Sequence, residues 1–159
     1  MRCIKMYDKI LLPTDGSKNS KRAIKHAMQI AKHEKAELII LNVVDSVYLT
    51  GLPEEELITQ TELVMEEESV KILEKVKKTI ETCPIVKYDD SVKLTTKTVT
   101  EGNAAEVILK VSDEEDVDLV VIASSGKHML DRFLLGSVTE KVVRHSKVPV
   151  MVIPSKDNK

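Results

Sequence analysis

The chain contains few aromatic residues and is close to electrically neutral, with a formal net charge of −2. Among its 159 residues, aromatic side chains make up 3%, with no Trp and one Phe. Such a composition argues against base-stacking and carbohydrate-stacking sites, which are built on aromatic rings. The 24 Lys and Arg residues against 26 Asp and Glu residues lack the basic surplus typical of proteins that bind nucleic acids or anionic membranes.

Cysteine and long apolar runs are also scarce. Cys3 and Cys83 do not have the C-x-x-C spacing of a metal or redox site, so free thiols in a reducing cytosol are the expectation. The N-terminus lacks the apolar core of a signal peptide, and no run is long enough to cross a bilayer. We therefore predict a cytoplasmic protein with no membrane or nucleic-acid partner, built as one domain over residues 1–159 and ordered over about 7–154.

Strand-like and helix-like patterns alternate along the chain. Short, largely β-branched apolar runs predict five strands, at 9–14, 37–44, 92–100, 118–123 and 148–153. Apolar residues at helical spacing predict four helices between them, at 18–33, 54–83, 104–112 and 137–145. This alternation indicates an open α/β sheet, for which we predict the strand order 3-2-1-4-5. The threonine-rich third strand and the last strand, which has Pro149 near its start, are then the edges.

Two strand ends converge in this topology. The segment Pro13-Thr14-Asp15-Gly16-Ser17 follows the first strand, and Ala123-Ser124-Ser125-Gly126 follows the fourth. Ligands of open α/β sheets bind outside the carboxyl ends of the strands, where the strand order reverses. A nucleotide is therefore predicted to lie between these two segments.

The start of the last helix is predicted to bind the phosphates of this nucleotide. Gly136 permits a close approach of the backbone, and the hydroxyls of Ser137 and Thr139 add donors to the positive end of the helix dipole. Ser137 and Glu140 also have the spacing of a capping box. An equally weighted alternative is that Gly136 merely begins the helix and that Ser137 and Glu140 cap it.

Other sites are weaker candidates. A Walker-type loop is excluded, because His128 follows Gly126-Lys127 where Ser or Thr is needed, and the dinucleotide fingerprint is absent. The four histidines lack metal-binding spacing. His128, Lys127 and Arg132 share one loop and can reach phosphates, although a solvated loop face is the more common role of such a trio.

Two longer segments carry a resemblance to a known family. YDKILLPTDGS near the start and SSGKHMLDRFLLGSVTEKVVRHSKVPVMVIP at the end resemble the universal stress protein family, and the resemblance extends from Tyr7 to Pro154. It implies a flavodoxin-like three-layer sandwich with the order 3-2-1-4-5 and, in one branch, an ATP site. That branch carries a glycine, two residues, a glycine, nine residues, then glycine and Ser or Thr. Here Gly126, Gly136 and Ser137 match, and Ala123 replaces the first glycine.

The resemblance also assigns residues to the nucleotide. Pro13, Thr14 and Asp15 would line the adenosine side, and Val43 would contact adenine through its backbone. Ribose and phosphates would be held by residues around the two matching glycines: Ser125, Gly126, Gly136, Ser137, Val138 and Thr139. Ala123, which replaces the first glycine of the motif, would lie at the same site. Asp15 is also a candidate for helping to hold a Mg²⁺ or Mn²⁺ ion bound to the phosphates. The alternative is that Asp15 is a turn and cap residue beside Gly16. If the backbone at Ala123 requires a positive φ, alanine costs about 1 kcal/mol there.

The last strand, Val148 to Ile153, leaves an apolar edge that a second copy can pair, and the resemblance implies the same homodimer. The leading functional hypothesis is an ATP-binding, stress-response regulatory module rather than an enzyme, since no catalytic base is evident. A nucleotide-free dimeric interaction protein of the same fold and a slow ATPase or adenylyl-transferring enzyme are the alternatives.

Overall fold

Five strands alternate with four helices in the part of the chain that the structure describes. The computed structural model describes residues 5–44, 55–82, 92–100, 102–125 and 135–154. Within 55–82, the side chains are described from residue 60 onward. In chain order the elements are β1 Lys9–Pro13, α1 Ser20–Glu34, β2 Glu37–Val43, α2 Glu55–Glu81, β3 Leu94–Val99, α3 Ala104–Glu114, β4 Leu119–Ala123, α4 Ser137–His145 and β5 Val150–Ile153.

The strands form one parallel sheet in the order β3-β2-β1-β4-β5. The predicted order is therefore confirmed, as are the edge positions of β3 and β5. Burial agrees with the edge position of β3, because every residue of that strand is exposed or intermediate in burial. The first three strands are longer than β5, and Pro149 lies just before β5, where its carbonyl accepts a hydrogen bond from the Val120 N–H at 3.0 Å.

Each face of the sheet is covered by two helices. One core cluster joins apolar residues of α1 and α2 to one side of the sheet, including Ala27, Met28 and Val76. The other joins α3 and α4 to the opposite side, including Ile108 and Val142. Because both faces are covered, β1, β2 and β4 are apolar almost throughout, as parallel strands of this class are. The molecule is thus a three-layer sandwich.

The asparagine that precedes α3 caps that helix. Gly102 adopts φ +100°, and the side chain of Asn103 accepts a hydrogen bond from the Ala105 N–H at 3.1 Å. No described helix is both long and apolar enough to span a membrane. The predictions that fall on Cys3, on Cys83 and on the tail after Pro154 lie outside the described residues.

Glu37 links β2 to β3 through two side chains. Its carboxylate accepts a hydrogen bond from the Thr95 hydroxyl at 2.6 Å and pairs with the Lys93 ammonium at 3.1 Å. The Thr95 hydroxyl and then Lys93 hold the pKa of the Glu37 carboxyl below its ordinary value. The ionised carboxylate is therefore stabilised in the folded state relative to the unfolded chain.

This pair of contacts makes stability depend on pH. Because the folded pKa of Glu37 lies below the unfolded one, its contribution is complete above the ordinary Glu pKa and is lost as the pH falls through the folded value. Thr95→Val removes the main cause, so we expect the Glu37 pKa to rise and the acid-linked loss of stability to shrink by less than about 1 kcal/mol. Urea unfolding at pH 7 and pH 4, with an NMR titration of Glu37, measures both. An unchanged Glu37 pKa in Thr95→Val would contradict this account.

Candidate functional site

The end of β1 is fixed to β2 by two buried hydrogen bonds. The Thr14 N–H donates to the Leu41 carbonyl at 2.9 Å, and the Thr14 carbonyl accepts from the Asn42 side-chain amide at 2.7 Å. Thr14 and Asn42 are 7% and 4% exposed, so water does not compete for either group. The chain therefore leaves the sheet at a defined point and direction.

The loop that follows β1 is a tight turn. Gly16 has φ +72°, its N–H donates to the Thr14 hydroxyl at 3.2 Å, and the Ser17 N–H donates to a carboxylate oxygen of Asp15 at 3.0 Å. A methyl group on Gly16 would approach the Ile72 side chain to 3.1 Å. Asp15 thus has the turn role that was one of its two predicted roles, and the loop packs directly on α2.

Ala123, at the end of β4, does not need the conformational freedom of glycine. It pairs in register with Ile153 inside the extended strand, and the non-glycine residues with positive φ in the described part are Lys35 and Asp116. Its side chain is 8% exposed and belongs to the core cluster beneath α1 and α2. The strain considered for alanine at this position is therefore absent.

Backbone hydrogen bonds bring the start of α4 to the end of β4. The Ser124 N–H donates to the Ile153 carbonyl, and the Gly136 N–H donates to the Ser124 carbonyl, both at 2.8 Å. Ser125, 4% exposed, accepts a hydrogen bond at its hydroxyl oxygen from the Asn19 amide at 3.2 Å. The ends of β1 and β4 and the starts of α1 and α4 thus lie next to one another at the carboxyl edge of the sheet, and we call this region the crevice.

The predicted capping box at Ser137 is wrong. Gly136 is the N-cap residue, with an extended backbone at φ −60° and ψ 147°, and Ser137 is the first residue of the helix. The Glu140 carboxylate bonds to Arg144, at 3.0 Å and 2.9 Å from two guanidinium nitrogens, instead of reaching back to the helix start. Gly136 has no side chain with which to form the capping box. Glu140 instead forms an ion pair with Arg144, one helical turn further along α4.

The hydroxyl of Thr139 also differs from the prediction. It donates to the Ala123 carbonyl at 2.9 Å, and Thr139 is 4% exposed. Its hydrogen is therefore engaged with β4 and is not an extra phosphate donor. The contact instead fastens the first turn of α4 to the end of the strand.

The first turn of α4 presents backbone donors. The first intrahelical bond is made by the Glu140 N–H to the Gly136 carbonyl at 2.8 Å. The N–H groups of Ser137, Val138 and Thr139 precede it and have no acceptor within the helix. Gly136 is buried and Ser137 is exposed, so solvent reaches the helix at its first residue. This geometry favours an anion.

Val43 lies at the end of β2 and is intermediate in burial. The Leu41 carbonyl faces β1, and the Val44 N–H donates to Val99 of β3 at 2.8 Å, so the alternation of a parallel strand turns the backbone groups of Val43 toward β1. Because β1 ends at Pro13, these groups point past its end, on the crevice side. Gly126 and the trio of Lys127, His128 and Arg132 lie outside the described residues.

Two asparagines of the crevice were not predicted. Asn42 is a lone amide within the apolar run of β2, and that break in the pattern is a usable signal, because a buried amide requires a partner. Asn19 precedes α1 but makes no side-chain cap, and it bonds to Ser125 instead. Its neighbours in the sequence give no sign of that contact. Among the described residues, no cluster of three His, Cys, Asp or Glu side chains is placed to hold a metal ion.

Comparisons with known proteins agree with this architecture. The chain is 40% identical to the universal stress protein MJ0531 of Methanocaldococcus jannaschii over 93% of this chain and 82% of that protein. The solved structure of MJ0577 from the same organism superimposes with a TM-score of 0.81 at 34% identity, covering 96% of this chain and 99% of that one.

Two more distant structures share the fold and contain nucleotides. A universal stress protein in complex with cAMP has a TM-score of 0.67 at 24% identity, covering 95% of this chain and 99% of that one. One from Archaeoglobus fulgidus in complex with dAMP has a TM-score of 0.59 at 19% identity, covering 93% and 98%. The model of the universal stress protein family matches residues 6–154. With that match and the relatives above, the chain belongs to the universal stress protein family.

Proposed function

We propose that this universal stress protein binds an adenine nucleotide, ATP, in the crevice at the carboxyl edge of the sheet and acts as a regulatory module. The observation that carries the proposal is the hydrogen bond from the Gly136 N–H to the Ser124 carbonyl. It holds the donor-rich start of α4 at the end of β4, next to β1, where the strand order reverses. Open α/β sheets bind ligands at that point.

The residues around the crevice suit the parts of a nucleotide. The N–H groups of Ser137, Val138 and Thr139, with the exposed Ser137 hydroxyl, suit phosphate oxygens. On the other side, Pro13, Thr14 and Asp15 and the backbone of Val43 suit the adenosine. The cAMP and dAMP complexes support an adenine nucleotide as the ligand class, since those proteins share the fold.

Asp15 is the candidate for assisting a metal ion that enters with the phosphates. One of its carboxylate oxygens already accepts the Ser17 N–H, so Mg²⁺ or Mn²⁺ would be held mainly by the nucleotide. We propose binding rather than turnover. The Asp15 carboxylate is engaged with the Ser17 N–H in the turn that follows β1, which suits a structural role.

A nucleotide-free protein of the same fold would be favoured if Ala123 blocked the site. The methyl group of Ala123 lies in the core cluster and its backbone is part of the strand β4, so neither feature favours that alternative. It is an outcome of the test below rather than a second proposal.

The proposal is tested on protein purified without added nucleotide. The protein is denatured and the supernatant chromatographed, and thermal unfolding is then followed against ATP with Mg²⁺. At ATP a hundredfold above the dissociation constant, linkage predicts about 2.7 kcal/mol of stabilisation, or a midpoint rise of about 5–10 °C. No co-purified nucleotide and no shift at millimolar ATP would overturn the proposal.

Restoring the family glycine is expected to leave ATP affinity nearly unchanged. Ala123→Gly removes a buried methyl group from β4, so the midpoint of thermal unfolding should fall by the equivalent of about 1 kcal/mol. The crevice itself gains no room, because that methyl group faces the core. Calorimetric titration of both proteins checks this, and an affinity gain above about tenfold would show that alanine does obstruct the nucleotide.

The same proposal includes a homodimer through β5. The carbonyls of Pro149 and Ile153 accept hydrogen bonds from β4, so strand alternation turns the N–H groups of Val150 and Val152 toward the open edge. Among the described residues, β5 pairs with β4 alone. An unpaired apolar edge of this kind favours pairing with a second copy.

Removing one outward donor tests that dimer. Val152→Pro deletes an N–H on the open side while the hydrogen bonds to β4 remain, so we expect dimer dissociation to increase about tenfold or more. Val152→Ala, which keeps the donor, is the matched control and should stay dimeric. Sedimentation velocity over a range of concentrations separates the two. Equal dimer dissociation of both variants would exclude strand pairing at this edge.

A further inference from the structure

The outer side of α2 carries an apolar stripe that the fold does not use. The residues by which α2 joins the core are Leu73, Val76 and Ile80, all at most 8% exposed. Leu63 and Val70 are 57% and 52% exposed and lie seven residues apart, which places them on one side of the helix. We name these two residues the α2 stripe. Exposed apolar groups in register along a helix are typical of a helix-packing surface.

The α2 stripe is part of the lining of two shallow grooves. Leu63, Glu66, Glu67, Lys71 and Glu74 line one groove together with Val70. The other is shared with β3 and is lined by Thr96 and Thr98 of that strand and by Val70, Leu73, Glu74 and Lys77 of α2. Since Val70 borders both, the stripe runs along the margin of the molecule beside β3, at the opposite sheet edge from β5.

Charge changes sign along α2 at the stripe. Residues 60–70 contain four Glu and no Lys or Arg, whereas residues 71–81 contain four Lys and two Glu. The helix dipole acts only within the first and last turns, and Glu62 already lies seven residues beyond the start of α2 at Glu55. The dipole therefore does not account for the acidic half.

Several of these charged side chains are not used in ion pairs within the described part of the chain. Glu66, Glu67, Lys77 and Lys78 make no ion pair with any residue in the described ranges. A surface that is acidic at one end and basic at the other, with Val70 at the change of sign, is complementary to its own antiparallel copy.

We propose that the α2 stripe is an interface with a second copy of this chain, in which the two α2 helices pack antiparallel. A two-fold axis between the levels of Val70 and Glu74 places Glu66 and Glu67 of each copy opposite Lys78 and Lys77 of the other. In this register the two Val70 side chains lie near the axis, each opposite Glu74 of the other copy, and the aliphatic stem of Lys78 extends toward the level of Leu63. The contact is independent of the crevice and of β5, so one molecule can use both edges.

Cross-linking tests the geometry. In the full chain with Cys3→Ser and Cys83→Ser, Val70→Cys should cross-link to itself with a short bismaleimide. Val64→Cys is the matched control, since Val64 is 63% exposed and lies about one third of a turn away on the same helix. Pairing through β5 leaves the α2 helices at distant edges, so it does not produce this product. A Val70→Cys yield no higher than that of Val64→Cys would overturn the proposal.

Charge reversal tests complementarity. In the Val70→Cys protein, Glu66→Lys with Glu67→Lys should lower the cross-linked fraction about tenfold or more, and so should Lys77→Glu with Lys78→Glu, because each places like charges opposite one another. All four changes together restore opposite signs and should restore cross-linking. Circular dichroism melting checks that each variant folds. An unchanged cross-linked fraction in the double variants would contradict antiparallel pairing. So would a fourfold variant whose cross-linked fraction stays low.

Discussion

Gly136→Val is expected to weaken ATP binding about a hundredfold, or by about 2.7 kcal/mol. Gly136 is buried, and its N–H and carbonyl join Ser124 of the β4 end to the first turn of α4. A branched side chain there stands in front of the N–H groups of Ser137 and Val138, which a phosphate must approach closely. The backbone at φ −60° and ψ 147° is accessible to valine, so backbone strain is not the cause.

The measurement is calorimetric titration with ATP and Mg²⁺, alongside thermal unfolding without nucleotide. Ala104→Val is the matched control, because it adds a branched side chain at the first residue of α3, outside the proposed phosphate site. Wild-type affinity in Gly136→Val would remove the site as described. A parallel loss in Ala104→Val would attribute the effect to helix starts in general.

The order of the sheet could be predicted because the signals for it are local. Apolar runs and turn residues mark β1, β2 and β4, and right-handed crossovers leave few ways to join them. The edge position of β3 followed from its threonines, which suit a half-exposed strand. The crevice was likewise predicted in outline, since its location follows from the strand order.

The detailed contacts could not be predicted, because they join residues distant in sequence. The bond from Asn19 to Ser125 spans 106 positions, and that from Asn42 to Thr14 spans 28. The capping box was wrong for a related reason. The spacing of Ser137 and Glu140 permits a cap, but the N-cap residue is Gly136, one position earlier, and its N–H is bonded to the Ser124 carbonyl. Tertiary contacts therefore decided which local pattern was used.

Asn42→Ala is expected to destabilise the protein by about 2–3 kcal/mol, which lowers the thermal midpoint by about 5–10 °C. The Asn42 amide donates to the Thr14 carbonyl at 2.7 Å, and both residues are almost completely buried. Alanine removes the donor and leaves that carbonyl without this partner in a site closed to water. The end of β1 loses a restraint, so ATP affinity is expected to fall as well.

Asn42→Asp separates the lost hydrogen bond from the lost volume. Aspartate has nearly the shape of asparagine, but at neutral pH its carboxylate cannot donate and would face the Thr14 carbonyl in a buried site. We therefore expect Asn42→Asp to be at least as destabilising as Asn42→Ala at pH 7 and to recover partly at low pH, where a protonated carboxyl can donate again. Urea unfolding of both variants at pH 7 and pH 4 measures this. An aspartate variant as stable as the wild type at pH 7 would mean that packing, rather than the hydrogen bond, fixes the end of β1.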